Sequence, residues 1–367
     1  MNGQNRISIA EPDVGELELK YVIEAMKSNE LSSMGHFMSG FEEAFASFCD
    51  VPYASACMNG TVALHLALIG AGVVPGDEVI VPALTYVSTA NAVVHAGAKP
   101  IFADVHPDHW GLDPEAVIKK ITSRTKAIIV VHLYGHPADM DPLLEICASR
   151  GIKLIEDAAE AHGARYKGQR VGGIAPIGTF SFFGNKIMTT GEGGIVTCRD
   201  EDVREKVNIY KNHGNDPSRR YHHQVIGFNY RMTNIQAAIG LAQVERAEEL
   251  LFKKAKIAGK YKEGLQDLPC KTQPRLEWAE PVNWMNCLVL DDRSLSANFL
   301  QEELQKFGID TRPFFVPIPN LEIYDDADSY PVAEGLSKAG INLPSSTKLN
   351  GQEIDYVIAS IKQVFGQ

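Results

Sequence analysis

The sequence predicts an α/β protein, with a mostly parallel central sheet flanked by helices and a smaller α+β domain at the C-terminal end. Three observations carry this. Between residues 53 and 198, short apolar strand-like runs alternate with helical stretches at the pace of a parallel sheet. Lys126-Ala-Ile-Ile-Val-Val-His132 is almost continuously apolar, as in a strand covered on both faces. From about residue 258 the pattern changes, and strands such as Asn286-Cys-Leu-Val-Leu290 mix with helices over 296–307 and 352–365. The expected division is a large domain over 1–250 and a small one over 251–367, with the N-terminal segment packing toward the small domain.

Composition bounds the function. The 367 residues are 45% hydrophobic and 22% charged, an ordinary globular balance, and no repeat or low-complexity segment interrupts them. A net charge of −11 argues against a protein that holds nucleic acid non-specifically, without preventing a local basic pocket. The six cysteines are scattered, with no C-x-x-C pair and no metal-like spacing. With no signal peptide at the start, reduced thiols in a cytoplasmic protein are expected. No apolar run reaches the roughly 20 residues of a membrane span.

The elements follow in order. Val14, Leu17, Tyr21, Val22, Ala25 and Met26 recur at helical spacing, then comes a polar loop, Glu30-Leu-Ser-Ser-Met-Gly35. A short helix carries Phe41, Phe45 and Phe48 on one face. The strand-like Tyr53–Cys57 leads through Asn59-Gly60 and Thr61 into an apolar helix. Its first backbone N–H groups and the Thr61 hydroxyl suit a phosphate, although a plain capped helix start has the same sequence. His65, inside that helix, reads as a core histidine. Glu78–Pro82 is a strand running into a loop with Tyr86, an aromatic face that could stack on a planar ring or simply pack. Further strands are expected over 100–105, 126–132 and 153–157, with a helix over 141–150.

Asp157 closes an apolar strand. There a carboxylate either caps a following helix or needs a cationic partner, such as a protonated heterocyclic nitrogen. The strand-like run from Thr179 to Phe183 breaks at Gly184 and delivers one lysine, Lys186, before a loop with Gly191, Gly193 and Gly194. Most loop lysines are simply solvated. A lysine at a strand end in an active site is partly desolvated, falls below its usual value of about 10.4, and can form an imine with an aldehyde. Thr233 or Asn234 is expected to cap a long helix from about 235 to 257, with an apolar stripe at Ile239, Leu241, Val244 and Leu250. The basic loop 211–223 could meet an acidic ligand.

Gly60-Thr61, Tyr86, Asp157 and Lys186 stand in this order on successive strand ends. Together they offer what pyridoxal 5′-phosphate requires: phosphate anchor, ring stack, ring-nitrogen partner and imine-forming amine. A nucleotide-binding α/β protein would need a glycine-rich phosphate loop, and no G-x-x-x-x-G-K-[ST] is present.

Val131-His-Leu-Tyr-Gly135, Ser181-Phe-Phe-Gly-Asn-Lys186, Thr189-Thr-Gly-Glu-Gly-Gly194 and Gly227-Phe-Asn-Tyr-Arg-Met-Thr-Asn234 running on to Gln243 form a distinctive set. Through them the chain resembles the sugar aminotransferases of the DegT/DnrJ/EryC1/StrS group along nearly its whole length. The resemblance implies the fold type I aminotransferase architecture and pyridoxal 5′-phosphate as cofactor. It implies Lys186 as the imine lysine, Asp157 as the ring-nitrogen partner, and Glu160 near the ring hydroxyl. Gly60, Thr61 and Ser181 would contact the phosphate, and Asn229 would reach it from the neighbouring subunit of a homodimer. Ser33, Arg220, Arg231 and Phe315 are the implied substrate contacts. The implied reaction aminates a nucleotide-linked 4-keto-6-deoxy sugar, GDP-4-keto-6-deoxymannose, with glutamate as amino donor. The alternatives are a UDP- or dTDP-linked sugar, a free keto-sugar acid, or a non-catalytic regulator on the same fold. Three stretches depart from the family pattern: Glu30-Leu31, Ala175-Pro176 and Pro319, all expected on or near the substrate face.

Overall fold

The computed structural model describes residues 6–291, 295–324 and 326–367. In chain order its strands are β1 (Tyr53–Cys57), β2 (Glu78–Pro82), β3 (Lys99–Ala103), β4 (Thr125–Val131), β5 (Lys153–Asp157), β6 (Arg165–Tyr166) and β7 (Gln169–Arg170). They continue with β8 (Ile177–Ser181), β9 (Gly194–Cys198), β10 (Cys270–Thr272), β11 (Ala279–Glu280), β12 (Asn286–Leu290), β13 (Arg312–Pro313) and β14 (Gly340–Leu343). The helices that matter for the site are α1 (Glu16–Ser28), α2 (His36–Phe48), α3 (Gly60–Gly70), α4 (Ser88–His95), α5 (Pro114–Lys120), α6 (Met140–Arg150), α7 (Glu201–Lys211), α8 (Asn234–Glu245) and α9 (Ala247–Leu265).

The central sheet has the order β1-β9-β8-β5-β4-β2-β3. Neighbours β8, β5, β4, β2 and β3 pair in parallel, while β9 pairs antiparallel with both β8 and β1. Strand β9 therefore runs against all the others. The reason lies in its connection: a parallel return from β8 would need a crossover element, and 182–193 holds no helix. All the other strands end on one side, so Cys57, Pro82, Val131, Asp157 and Ser181 open toward a common edge.

Behind that edge, α2 brings an aromatic block onto the sheet. The Phe45 ring meets Phe180 edge-on at 4.8 Å and Phe182 at 5.2 Å, and Phe41 meets Phe182 at 5.2 Å. His162 is enclosed by the same rings, 5.0 Å from Phe182, and neither of its ring nitrogens has a hydrogen-bond partner among the described residues. Burial keeps it neutral, lowering its pKa to about 3.

The stretch 172–175, between β7 and β8, has no ladder partner, yet side chains hold it firmly. Glu156, fully buried, accepts from Gly172 N, Ile174 N and Ala175 N at 2.6–2.9 Å. Thr197 Oγ1 and the Arg199 guanidinium donate to the carbonyls of Gly172 and Gly173. Pro176 follows at the start of β8, the end away from Ser181, which puts it about 17 Å from the open edge. It does not lie on the substrate face, as expected from sequence. Distance along a strand, not closeness in sequence to Lys186, decides this.

A second sheet, β10-β12-β14-β13, is antiparallel and shares a core with α9 and the C-terminal helix Gly351–Val364. Ile7 belongs to that core and makes an isolated parallel bridge to Ile309, so the extended N-terminal segment packs with the core of the second sheet. Helix α1 itself packs on α8, where Tyr21 donates to Glu245 and Gln243 donates to Glu18. The single helix expected over 235–257 is two, broken at Arg246 (φ −97, ψ 6), with Thr233 capping the first as expected. Arg246 leaves helical geometry while its guanidinium bonds Asp13, Glu18 and Glu249. One residue out of register scarcely disturbs a 3.6-residue pattern, so periodicity reads through the break. The fully buried residues of α8 include Ala237, Ala238, Gly240 and Ala242, while Leu241 and Val244 of the expected stripe pack half-buried against the same core and Leu250 on α9 is fully buried; a Cβ at Gly240 would meet the Phe41 ring at 2.8 Å. Among the described residues no helix is long and apolar enough to cross a membrane.

Candidate functional site

The open strand ends line a cavity of about 360 Å³, closed on its far wall by Trp284 and Phe315 from the C-terminal part of the chain. Seven of the residues singled out from sequence for catalysis or cofactor binding, Gly60, Thr61, Tyr86, Asp157, Glu160, Ser181 and Lys186, meet there, together with Phe315.

Asp157 forms the floor. It is 4% exposed, and its Oδ2 accepts from Thr89 Oγ1 at 2.8 Å while Oδ1 accepts from Ala159 N at 3.2 Å. No helix follows it, so the helix-cap reading is excluded. Burial raises its pKa, against the two donors and the more distant Lys186 and His132. A buried carboxylate with two neutral donors and no ion-pair partner among the described residues is suited to a cation delivered by a ligand.

Lys186 Nζ lies 3.8 Å from Glu160 Oε1 and 3.9 Å from the centre of the Trp284 indole. Burial lowers its pKa, opposed by Glu160 and Asp157. Burial likewise raises Glu160, to about 7. Both members of the pair therefore move toward their neutral forms, which leaves an amine able to take a proton and a carboxyl able to give one. Glu160 is fixed by the Tyr134 N–H, which donates to Oε2 at 2.8 Å. Tyr134 achieves this only in the left-handed region (φ 53), where a non-glycine residue is strained.

The start of α3 is suited to an anion. Asn59 caps it by accepting from Val62 N, and its carbonyl takes Ala63 N, so the first two helical N–H groups have no protein acceptor among the described residues. Gly60 is required here: a Cβ would stand 2.7 Å from the Ser181 Cβ, filling the space between the helix start and the end of β8. Ser181 Oγ and the Thr61 hydroxyl flank that space. Tyr86 is 57% exposed, with its ring 5.7 Å from Phe315.

Four candidates do not reach the cavity within one chain. Ser33 sits in the polar loop beside Asn234. Arg220 lies against Tyr221 on the exposed loop after α7. Arg231 donates to Asn229 Oδ1 at 3.0 Å, so these two hold each other at the surface. Conversely, Thr89, Tyr134 and Trp284 belong to the site and were not singled out from sequence. The first two stand inside stretches that the sequence does mark, the Tyr86 loop and the Val131–Gly135 motif. Trp284 is distant in sequence from every other member and gave no signal.

Residues 12–362 match the DegT/DnrJ/EryC1/StrS aminotransferase family. The chain is 45% identical to the GDP-perosamine synthase of Caulobacter vibrioides, over 99% of this chain and 100% of that one. It is 42% identical to the GDP-perosamine synthase of Escherichia coli O157:H7, over 98% of each. Among solved structures, the Streptococcus pneumoniae protein Spr1654 in its PMP form superimposes with a TM-score of 0.94 at 30% identity, over 98% of each chain.

Proposed function

The chain belongs to the DegT/DnrJ/EryC1/StrS aminotransferase family and is a pyridoxal-phosphate-dependent sugar aminotransferase; from that premise we propose that it converts GDP-4-keto-6-deoxymannose to GDP-perosamine, with glutamate as amino donor. The observation that carries the substrate is the full-length likeness to GDP-perosamine synthases from two organisms.

The cavity fits the cofactor. Asp157, buried and without an ion-pair partner among the described residues, suits a protonated ring nitrogen. The bare N–H groups of Gly60 and Thr61, with Ser181 Oγ, suit a phosphate. Pyridoxal phosphate supplies an aldehyde that captures amines and a ring that withdraws electrons from the carbon losing its proton.

The chain's own residues do the rest. Asp157 would hold a positive charge at the ring nitrogen, and Thr89 fixes the carboxylate that would do so. Lys186, whose pKa burial lowers, would take and return a proton at Nζ. Glu160, tethered by Tyr134 N–H, keeps a carboxyl beside that nitrogen. Tyr86 would cover the ring, with Phe315 beside it on the cavity wall as the substrate contact.

A homodimer with shared sites is part of this reading. Ile226 is 93% exposed and Tyr221 80% exposed on the loop that carries Arg220, an apolar surface that suits cover by a partner. In the dimer Asn229 reaches the phosphate of the neighbouring site, and Arg220 and Arg231 meet the diphosphate. Six free thiols fit a reducing, cytoplasmic setting.

Two experiments test the reading. In a coupled assay with glutamate, GDP-4-keto-6-deoxymannose should turn over well above its UDP- and dTDP-linked counterparts; the reverse preference overturns the sugar assignment. Mixing Lys186→Ala with an Asn229→Asp protein should restore activity, because one intact site forms only if Asn229 acts across the interface. No restoration would return Asn229 to its own subunit.

A further inference from the structure

Lys254 on α9 is 4% exposed and makes no ion pair among the described residues. Its ammonium donates to two backbone carbonyls from separate segments, Trp284 O at 2.7 Å and Ser345 O at 2.6 Å. Burial is what lowers its pKa, to about 7. An apolar side chain would fill this space without the cost of burying an ammonium. What the ammonium adds is a fixed distance between α9, the stretch before β12 and the end of β14.

Trp284 stands at the other end of that link. Its indole Nε1 donates to Asn185 O at 2.7 Å, its ring stacks on Tyr134 (6.2 Å, 17°), and its face covers Lys186 Nζ at 3.9 Å. One residue is thus clamped by its backbone to Lys254 and lies by its ring on the amine that the proposed function places at the centre of the reaction.

We propose that Lys254 is a positioning residue for Lys186: by holding the Trp284 backbone it keeps the indole over the Lys186 amine and water away from it. The proposal rests on the reading of Lys186 as the reactive lysine. The groups facing that amine are Glu160 and Asp157 from the end of β5, neutral His162 behind them, Glu192 on the cavity wall, and the uncharged indole. The indole acts on the amine in two opposed ways. Its face attracts the ammonium, an effect of about one pH unit. Its bulk helps exclude water, and burial is the largest influence on this amine, able to move a lysine by up to about 3–5 units when complete. Exclusion wins, so loosening the indole should raise the pKa of the amine.

The test uses holoenzyme converted to its PMP form, in which the Lys186 amine is free. The pH dependence of Lys186 acetylation by acetic anhydride, read by mass spectrometry, gives the midpoint of that amine. In Lys254→Met the midpoint should rise by about half a unit or more. Trp284→Leu should raise it at least as far, and the double variant no further than Trp284→Leu alone. Should Lys254→Met fail to fold, Lys254→Gln, whose shorter side chain ends in a two-donor amide with less reach, carries the same expectation with a smaller shift. A purely structural Lys254 would lower the melting temperature and leave the midpoint in place, which overturns the proposal, as would additive shifts in the double variant. Borohydride reduction of each holoenzyme separates the two readings. Cofactor fixed to a lysine other than Lys186 overturns the site assignment and this proposal with it, whereas fixation on Lys186 with an unmoved midpoint overturns this proposal alone.

Discussion

Glu156 and Asp157 are neighbours on β5, both buried, and their surroundings are opposite. Successive strand residues point to opposite faces, so one carboxylate turns into the protein and the other toward the cavity. Glu156 is saturated: three backbone N–H groups and His132 Nε2 donate to its two oxygens. The His132 proton must sit on Nε2, because Nδ1 accepts from Ala138 N. Asp157 has one hydroxyl and one N–H. A carboxylate satisfied on every side can only hold structure, whereas one left short of charge on its open side can act on a ligand. Both lie in an apolar, strand-like run, and hydrogen-bond supply is what separates them.

Variants on the cavity side should affect rate and spare the fold. Lys186→Ala removes the amine and should abolish turnover, with melting temperature nearly unchanged; measurable turnover in a folded variant would break the assignment. Asp157→Asn should cost several orders of magnitude in the rate of the first half-reaction, read by stopped-flow absorbance. The stability of the cofactor-free protein should hold or rise, because burial already favours the neutral form of Asp157.

Glu156→Gln should behave in the opposite way. An amide has only one acceptor oxygen, so at least one buried N–H among Gly172, Ile174 and Ala175 loses its partner. Urea denaturation should show a loss of about 2–4 kcal/mol, with kcat of the folded fraction within a few-fold of the parent. A stable Glu156→Gln protein with crippled kcat would erase the distinction between the two carboxylates.

The pH-dependent effect concerns Glu160, whose pKa rises from 4.5 to about 7 on folding. Between those values the folded chain binds more protons than the unfolded one. In the cofactor-free protein, Glu160 therefore contributes stability that is complete below about 4.5 and lost as pH climbs through about 7. Glu160→Gln should remove that part of the slope in a series of melting temperatures from pH 4.5 to 7.5.

Much of this was legible from the chain alone. The alternation over 53–198 gave the parallel sheet, because βαβ periodicity is local. Lys186, Asp157 and Gly60-Thr61 were legible because each sits at a strand end or helix start that its own neighbours announce. Thr89, Tyr134 and Trp284 were not, since their roles arise from contacts across long stretches of chain. The choice at Asp157 between helix cap and cation partner needed the backbone that follows it, which turns without forming a helix. The break at Arg246 was hidden because a single residue leaving helical geometry preserves the apolar rhythm.

The clamp on 172–175 has a consequence for how this chain breathes. By shape the stretch is a loop, and loops ordinarily trade their amide hydrogens with solvent through small local openings. Here the amides of Gly172, Ile174 and Ala175 end on a carboxylate anchored in the middle of the central sheet, and the carbonyls of Gly172 and Gly173 end on side chains of β9 and the residue after it. Releasing any of these amides strips a donor from the buried Glu156 carboxylate, which raises the cost of a local opening. Their deuterium uptake should therefore follow the slow clock of the sheet itself, making an irregular segment one of the last parts of the molecule to exchange.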